Sequence, residues 1–433
     1  MFRTSSIPAF AVFQNRDFRI LWAGRLLHEF SRRMELLVLG YLIYQMTSSV
    51  FQVGLIAVFL NLPRPFMSPF AGVLADRLDR RRIMVGVHAT FFGIAIVLLA
   101  LLAAEAIQSW HVFIAAFLQG SVKVLDDPSR RTAIADLAGS EHLASAMSLE
   151  TITNNSGRII GPIAGGALVA GPGFVFAYGI LAVLDLAVLL LMIRLRLPKR
   201  APASGPKIAV LQSLLEGVRH SISNRMVLGV LCISLIMNAL VLPIQFFIPV
   251  IASELLLVGP TLGGLLGSAE GIGTLIGASI IALKRQIRYH GRLFIAGALI
   301  TALGVTLVAW SPWFLVSFIL LLLAGMGQAG FSTMQSTILL LSSVPEMRGR
   351  AMGAQGTVNG LGHLVGDYEI AAIASIFGIG LAIGLNAGVG LLLILPVTLL
   401  TPLIFRQVGS PPESAPPAEE ALPGLPQSSE GRG

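Results

Sequence analysis

Arg25, Glu29 and Arg32 stand at i, i+4 and i+7 within a long apolar run, followed by Arg33 and Glu35. On a helix the first three share a face, and Glu29 can pair with either arginine. Arg64, Lys123, Arg158, Asp185, Glu270, His363, Asp367 and Glu369 are likewise embedded in apolar runs. Ionisable side chains in such surroundings are costly, and they face a polar cavity or one another. Two kinds of chemistry suit them: binding a charged or zwitterionic molecule, and taking up or releasing a proton. A carboxyl in hydrocarbon holds its proton tightly and an adjacent guanidinium loosens it, so moving an arginine past a carboxyl switches proton affinity. Glu35 beside Arg32 and Arg33 suits such a switch. So do Asp367 and Glu369, with His363 one turn before Asp367, and Glu270 is a further candidate. Arg25 can snorkel to the membrane interface, and structural ion pairing among helices is the alternative role for the set.

Constellations for covalent catalysis are missing. Lys123, Lys199, Lys207 and Lys284 are the only lysines, and none closes a Gly-x-x-x-x-Gly-Lys-Ser/Thr phosphate loop, which argues against an ATP-driven pump. No Gly-x-Ser-x-Gly elbow is present. The seven histidines are scattered and Cys232 has no partner cysteine, so neither a metal site nor a disulfide is expected. The reading is of a protein without cofactor and not of an enzyme.

The elements that must position these residues follow from composition. Of 433 residues, 55% are apolar and 12% charged, about half the ~25% charge of a soluble chain. Mean hydropathy is +0.81. A span needs ~20 mostly apolar residues. The first such runs are Ile20–Gln45, Phe51–Ala75, Ile83–Ala104, Trp110–Pro128, Leu143–Val169 and Phe174–Ile193. The later ones are Met226–Ile251, Thr261–Ala282, Leu293–Trp310, Trp313–Leu341, Ala351–Phe377 and Gly380–Phe405. Only helices satisfy the backbone in runs of this kind, so the chain is predicted to be an all-α membrane protein of twelve transmembrane helices. Residues 1–193 and 226–405 form two six-helix bundles, 194–225 a cytoplasmic linker, and 406–433 a disordered cytoplasmic tail. In the linker, Leu211, Leu214, Leu215 and Val218 oppose Glu216, Arg219 and His220, the pattern of a helix lying on the membrane surface.

The net charge of +8 is explained by topology. Twenty-four of the thirty Lys and Arg residues fall in alternate loops, the linker and the termini, and the intervening loops carry none. By the positive-inside rule both termini and the linker are cytoplasmic, and no nucleic-acid partner is implied. The N-terminus has no cleavable signal. The two halves also match at an offset of 205: Glu141, Ala146, Met147, Asn154, Gly157 and Gly161 fall on Glu346, Ala351, Met352, Asn359, Gly362 and Gly366. Parallel repeats of this kind place a substrate site between the halves near the midplane.

Gly72-Val-Leu-Ala-Asp76-Arg77-Leu-Asp-Arg80-Arg81-Arg82 resembles the loop signature of the major facilitator superfamily, with Asp79 where that pattern has Gly. Gly157-Arg-Ile-Ile-Gly161-Pro162-Ile-Ala-Gly165-Gly166 resembles the fifth-span motif of its proton-coupled drug exporters. Asp126-Asp-Pro128-Ser-Arg130-Arg131 and Pro345-Glu-Met-Arg348-Gly-Arg350 resemble the branch of enterobactin-type and macrolide exporters. The resemblance covers nearly the whole chain except the tail. It implies two pseudo-symmetric halves and a gate in which Asp76 pairs with Arg130 or Arg131 in the outward-facing state, with Gly72, Arg77 and Arg80 in the same motif and Asp126 and Asp127 beside it. Topology alone accounts for Arg81 and Arg82, and tight packing alone would account for the fifth-span glycines.

The expected protein is a monomeric secondary transporter of the plasma (inner) membrane. It exports a small amphipathic molecule (a drug, siderophore or metabolite), using the proton gradient by antiport. An importer or lysolipid transporter of the same fold is the first alternative. A non-transporting scaffold or receptor is the second.

Overall fold

A computed structural model of the protein describes residues 12–67, 79–198, 224–283, 289–344 and 347–404. Gly72, Asp76 and Arg77 of the loop motif, the expected linker helix, Pro345, Glu346 and the tail lie outside these residues. Among the described residues every regular element is helical.

Polar caps fix the starts of the first helices. Helix α1, Arg16–Thr47, opens where the Asn15 side chain accepts from the amides of Asp17 and Phe18. In α2, Val50–Asn61, Ser49 takes that role, and the span runs on to Met67. Asp79 caps α3, Arg80–Ala103, by accepting from the Arg81 amide at 2.9 Å. A side-chain acceptor at such a position is worth about 1 kcal/mol over alanine, but only a few tenths over glycine.

Helix α4 departs from expectation. The two predicted spans Trp110–Pro128 and Leu143–Val169 lie on one element, Ser109–Ala170, interrupted at Gly139, whose φ is 67°. The polar stretch between the spans, expected as a loop, is helical because Ala133, Ile134 and Ala138 pack with Phe18, Leu21 and Met84. Arg130 bonds Glu150. Twenty residues of straight helix would separate these side chains by about 30 Å, so the chain folds back at Gly139. Only glycine adopts that backbone without strain.

The remaining elements are α5 (Phe174–Arg194), α6 (the span Arg225–Leu255), α7 (Pro260–Leu283), α8 (His290–Val308), α9 (Phe314–Ser342), α10 (Arg348–Phe377) and α11 (Ile379–Leu400). Helix α6 is irregular: α-helical to Ile236, then π over Met237–Val241, 3-10 over Leu242–Phe247 and π again over Ile251–Leu255. Pro243 and Pro249 lack the N–H that a continuous ladder needs. Among the described residues, eight elements are long and apolar enough to cross a bilayer. The other predicted spans lie on α1, the two limbs of α4 and α10, which carry most of the buried charge. Val183, Leu190, Leu392 and Leu399 are exposed on α5 and α11, a surface suited to acyl chains.

Helices α1–α5 pack on one another, as do α6–α11, and the two groups meet through α4 against α7 and α2 against α10. The α4–α7 crossing is close enough that a Cβ on Gly264 would strike the Pro162 carbonyl, and one on Gly166 the Pro260 carbonyl. At the same end Tyr44 donates to Glu254 at 2.7 Å. Gly264→Leu should therefore wedge α4 from α7. Overpacking costs about 1–3 kcal/mol, so the thermal midpoint of the purified protein should fall by several degrees, whereas Gly179→Leu, in open space, should leave it unchanged.

Candidate functional site

At mid-depth in the first group, Glu29 is only 1% exposed and holds three guanidinium groups. Its Oε2 lies 3.1 Å from Arg25, and its Oε1 lies 2.7 Å from Arg32 and 2.9 Å from Arg33. Side chains on a helix lean toward its N-terminus, so Arg32 and Arg33 reach back to Glu29 rather than forward to Glu35. In this state Glu35 is thus not paired with either arginine. Glu35 instead accepts from Gln119 Nε2 at 2.7 Å, and Asp185 accepts from Ser31 Oγ at 2.9 Å.

The fifth-span motif makes this cluster possible. A Cβ at Gly157 would meet Glu29, and one at Gly161 would meet Arg33 and the Met34 amide. Gly165 lies against the Met34 carbonyl, while Pro162 and Gly166 face Gly264 of α7. One face of the motif thus seats α1 and another seats α7.

The ion-pair network continues toward the basic loops. Arg25 reaches Glu150 at 3.1 Å and Asn154 at 2.7 Å. Arg130 engages Glu150, Asp126 at 3.3 Å and Asp127 at 2.8 Å. The guanidinium expected to receive Asp76 is therefore occupied by three acids of its own helix, α4. Arg131 is exposed, and Arg80 pairs with Asp136.

Across the two groups, Arg158 Nη2 lies 2.6 Å from Glu270, which also accepts from Gln245 at 2.8 Å. Asn61 Nδ2 donates to Asp367, fully buried, at 2.9 Å. Each pair sits roughly 15–18 Å along its helices from the Tyr44–Glu254 end. Two cavities flank Leu36 and Phe246. One, lined by Arg33, Arg158, Gln245 and Glu270, has about 610 Å³ of open space including adjoining solvent. The other, lined by Arg32, Glu35, Asn61, Gln119 and Lys123, has about 500 Å³ measured the same way.

Of the residues expected at the site, Glu29, Arg32, Arg33, Glu35, Lys123, Arg158, Glu270 and Asp367 therefore gather around or beside these cavities. Arg64 runs alongside Gly360 of α10. His363 is partly buried one turn before Asp367. Asp185 is set behind α1 with Ser31, and Glu369 is half-buried on a different face of α10 from Asp367. Glu150, an acid within an apolar run, and the amides Asn61, Gln119 and Gln245 complete the arrangement. Sequence reasoning assigned the amides no role, because a lone amide in an apolar run carries no spacing signal; only Asn154 was marked, by its match to Asn359. Among the described residues no group of three or more His, Cys, Asp or Glu side chains is placed to hold a metal ion.

Comparison with known proteins agrees with this picture. The family model for transmembrane secretion effectors matches residues 7–415. Enterobactin exporter EntS of Shigella boydii serotype 18 is 28% identical over 384 residues, covering 86% of this chain and 88% of that protein. EntS of Citrobacter koseri is 28% identical over 392 residues, covering 86% and 89%. The fold is shared with the nucleoside transporter NupG (TM-score 0.66, 16% identity, 89% of this chain and 99% of that one). It is also shared with a bacterial homologue of the human lysosomal transporter Spinster, solved inward-facing and unoccupied (TM-score 0.65, 14% identity, 92% and 96%).

The Glu29 cluster predicts an asymmetric stability response. Removing one partner of a buried ionic cluster costs about 3–5 kcal/mol, so Glu29→Gln should lower the thermal midpoint strongly. Adding Arg32→Gln should restore part of the loss, since one fewer cation is left unpaired. Arg131→Gln, at the surface, should change the midpoint little. Fluorescence-monitored unfolding of the four proteins checks this.

Proposed function

Because the chain belongs to the transmembrane secretion effector family of the major facilitator superfamily, we propose that this membrane transporter works as a proton-coupled exporter of a small amphipathic molecule. Twelve spans form two pseudo-symmetric halves with both termini cytoplasmic. The 205-residue offset supports the repeat. Gly161 abuts Met34 of α1, and Gly366 abuts Ala239 of α6, each partner displaced by the same offset. Glu29, Arg33, Arg130, Glu150 and Asn154 correspond to Ser234, Asn238, Gln335, Gln355 and Asn359. In the second group Gln335 bonds Ser234, and both Gln335 and Asn238 reach Asn359.

The carrying observation is a charged chamber at mid-depth where the two groups of helices meet. Among the described residues, Tyr44–Glu254 and the Gly166–Gly264 crossing join the groups at the end opposite the basic loops. With those loops cytoplasmic, we read this as an inward-facing state, ready to load substrate from the cytoplasm.

Alternating access then reverses the closure. Rocking one half against the other must part Asn61 from Asp367 and Arg158 from Glu270. Each parting changes the surroundings of a carboxyl and therefore its proton affinity. Asp367 is assigned the proton, with Glu35 as a second carrier. The relatives' names point to a siderophore-like substrate, of which enterobactin is the first to try.

The test is flux in proteoliposomes. An imposed pH gradient should drive enterobactin in the exporting direction, and an ionophore that collapses the gradient should stop it. Asp367→Asn should reduce gradient-driven flux by ~10-fold or more while leaving equilibrium exchange in place. Flux unchanged after the gradient is collapsed would falsify proton antiport, and flux only in the opposite direction would mark an importer.

A further inference from the structure

The Arg158–Glu270 pair has a feature that a purely structural bridge would not need. Both side chains stand in the wall of the larger cavity, 16% and 13% exposed, with Arg33 lining the same space. Each partner is supplied by a different group of helices, α4 and α7, and Gln245 of α6 steadies the Glu270 carboxylate.

The charge inventory of the two cavities is unbalanced. Their walls carry Arg32, Arg33, Lys123 and Arg158 against Glu35 and Glu270. Glu29, behind the wall, is already shared among three arginines. Glu35 is taken up by Gln119. A surplus of cations at mid-membrane is costly unless an anion neutralises it. Beside the charges, Leu36, Phe246, Pro249 and Leu321 provide an apolar wall.

We infer that the larger cavity binds an amphipathic organic anion, whose carboxylate, sulfonate or catecholate group sits on Arg158 and Arg33 and displaces Glu270 as their resident counter-ion. This rests on the reading of the cavity as the substrate chamber. The apolar body lies against Leu36 and Phe246. The guanidinium exchanges one oxyanion for another and Gln245 keeps a hydrogen bond to the departing carboxylate, so the contacts of the anion with Arg158 and Arg33 must outweigh the loss of the Glu270 ion pair. It also cuts the ion pair between α4 and α7, so occupancy loosens a tie that holds the halves together. A ligand shifts a conformational balance only by its differential contacts with the two states, and this exchange is such a contact.

The sign of one variant decides the matter. The probes are carboxyfluorescein, a xanthene polyanion, and tetramethylrosamine, a xanthene cation without a carboxylate, titrated by anisotropy against the full chain in detergent with no gradient. Wild-type protein should bind carboxyfluorescein ~10-fold or more tightly than tetramethylrosamine. Arg158→Gln should weaken carboxyfluorescein by ~10-fold, and Arg158→Lys by less, since charge remains while the planar fork is lost. Glu270→Gln should tighten it by about threefold or more, because the anion no longer competes with a carboxylate. Absence of saturable carboxyfluorescein binding to wild type, preference for the cation, or a Glu270→Gln affinity unchanged or weakened overturns the inference. If Arg158→Gln does not fold, Arg158→Lys and Glu270→Gln still decide it. Because no gradient is applied, a failure of proton coupling in the flux assay leaves this result standing, and the converse holds.

Discussion

One carboxylate in the middle of a membrane helix holds the first half of this transporter together. Arg25, Arg32 and Arg33 would each cost at least ~2.5–3.5 kcal/mol at the centre of an apolar span if left alone. Glu29 lies within reach of all three, and no other acid on α1 does. The geometry demands that α4 come against the α1 backbone, so the residues facing Glu29 and Arg33 are Gly157 and Gly161. A side chain at either place would push α4 away from α1 and carry Arg158, on the same helix turn, out of reach of Glu270. Thus the glycine motif, the buried cluster and the contact between the two groups of helices form one dependency.

Much of this was legible in the sequence, and the limits have identifiable causes. Length and apolarity of the runs gave the spans, since nothing but helix satisfies the backbone there. The polar stretch after Pro128 was read as a loop because its charge argued against burial, yet its alanines and Ile134 form a helical stripe that packs on α1 and α3. Glu35 was paired with Arg32 and Arg33 by sequence proximity, whereas side-chain direction sends those arginines the other way. Gln119, Asn61 and Gln245 escaped notice because each bonds a carboxyl on a helix distant in sequence. No local pattern encodes such a meeting. The Gly166–Gly264 crossing was hidden for the same reason.

The positions related by the 205-residue offset show a division of chemistry between the halves. Where the first half has Glu29, Arg33, Arg130 and Glu150, the second has Ser234, Asn238, Gln335 and Gln355. In the second set Gln335 bonds Ser234, and Gln335 and Asn238 both reach Asn359, so neutral hydrogen bonds stand where the first set forms ion pairs. Neutral amides carry a smaller desolvation penalty than charges, so the second group needs no counterpart of the buried cluster around Glu29.

That division determines what can move. Two mid-depth carboxyls of the second group of helices, Glu270 and Asp367, are held by residues of the first, Arg158 and Asn61. Neither is satisfied wholly from within its own half, and Asp367 Oδ1 has no hydrogen-bond partner among the described residues. A displacement of one half against the other therefore alters the bonding of both carboxyls together, whereas motion inside either half leaves them as they are. An acid whose strong donor belongs to the other group of helices reports the relative position of the two groups, so its bonding follows their displacement rather than local fluctuation.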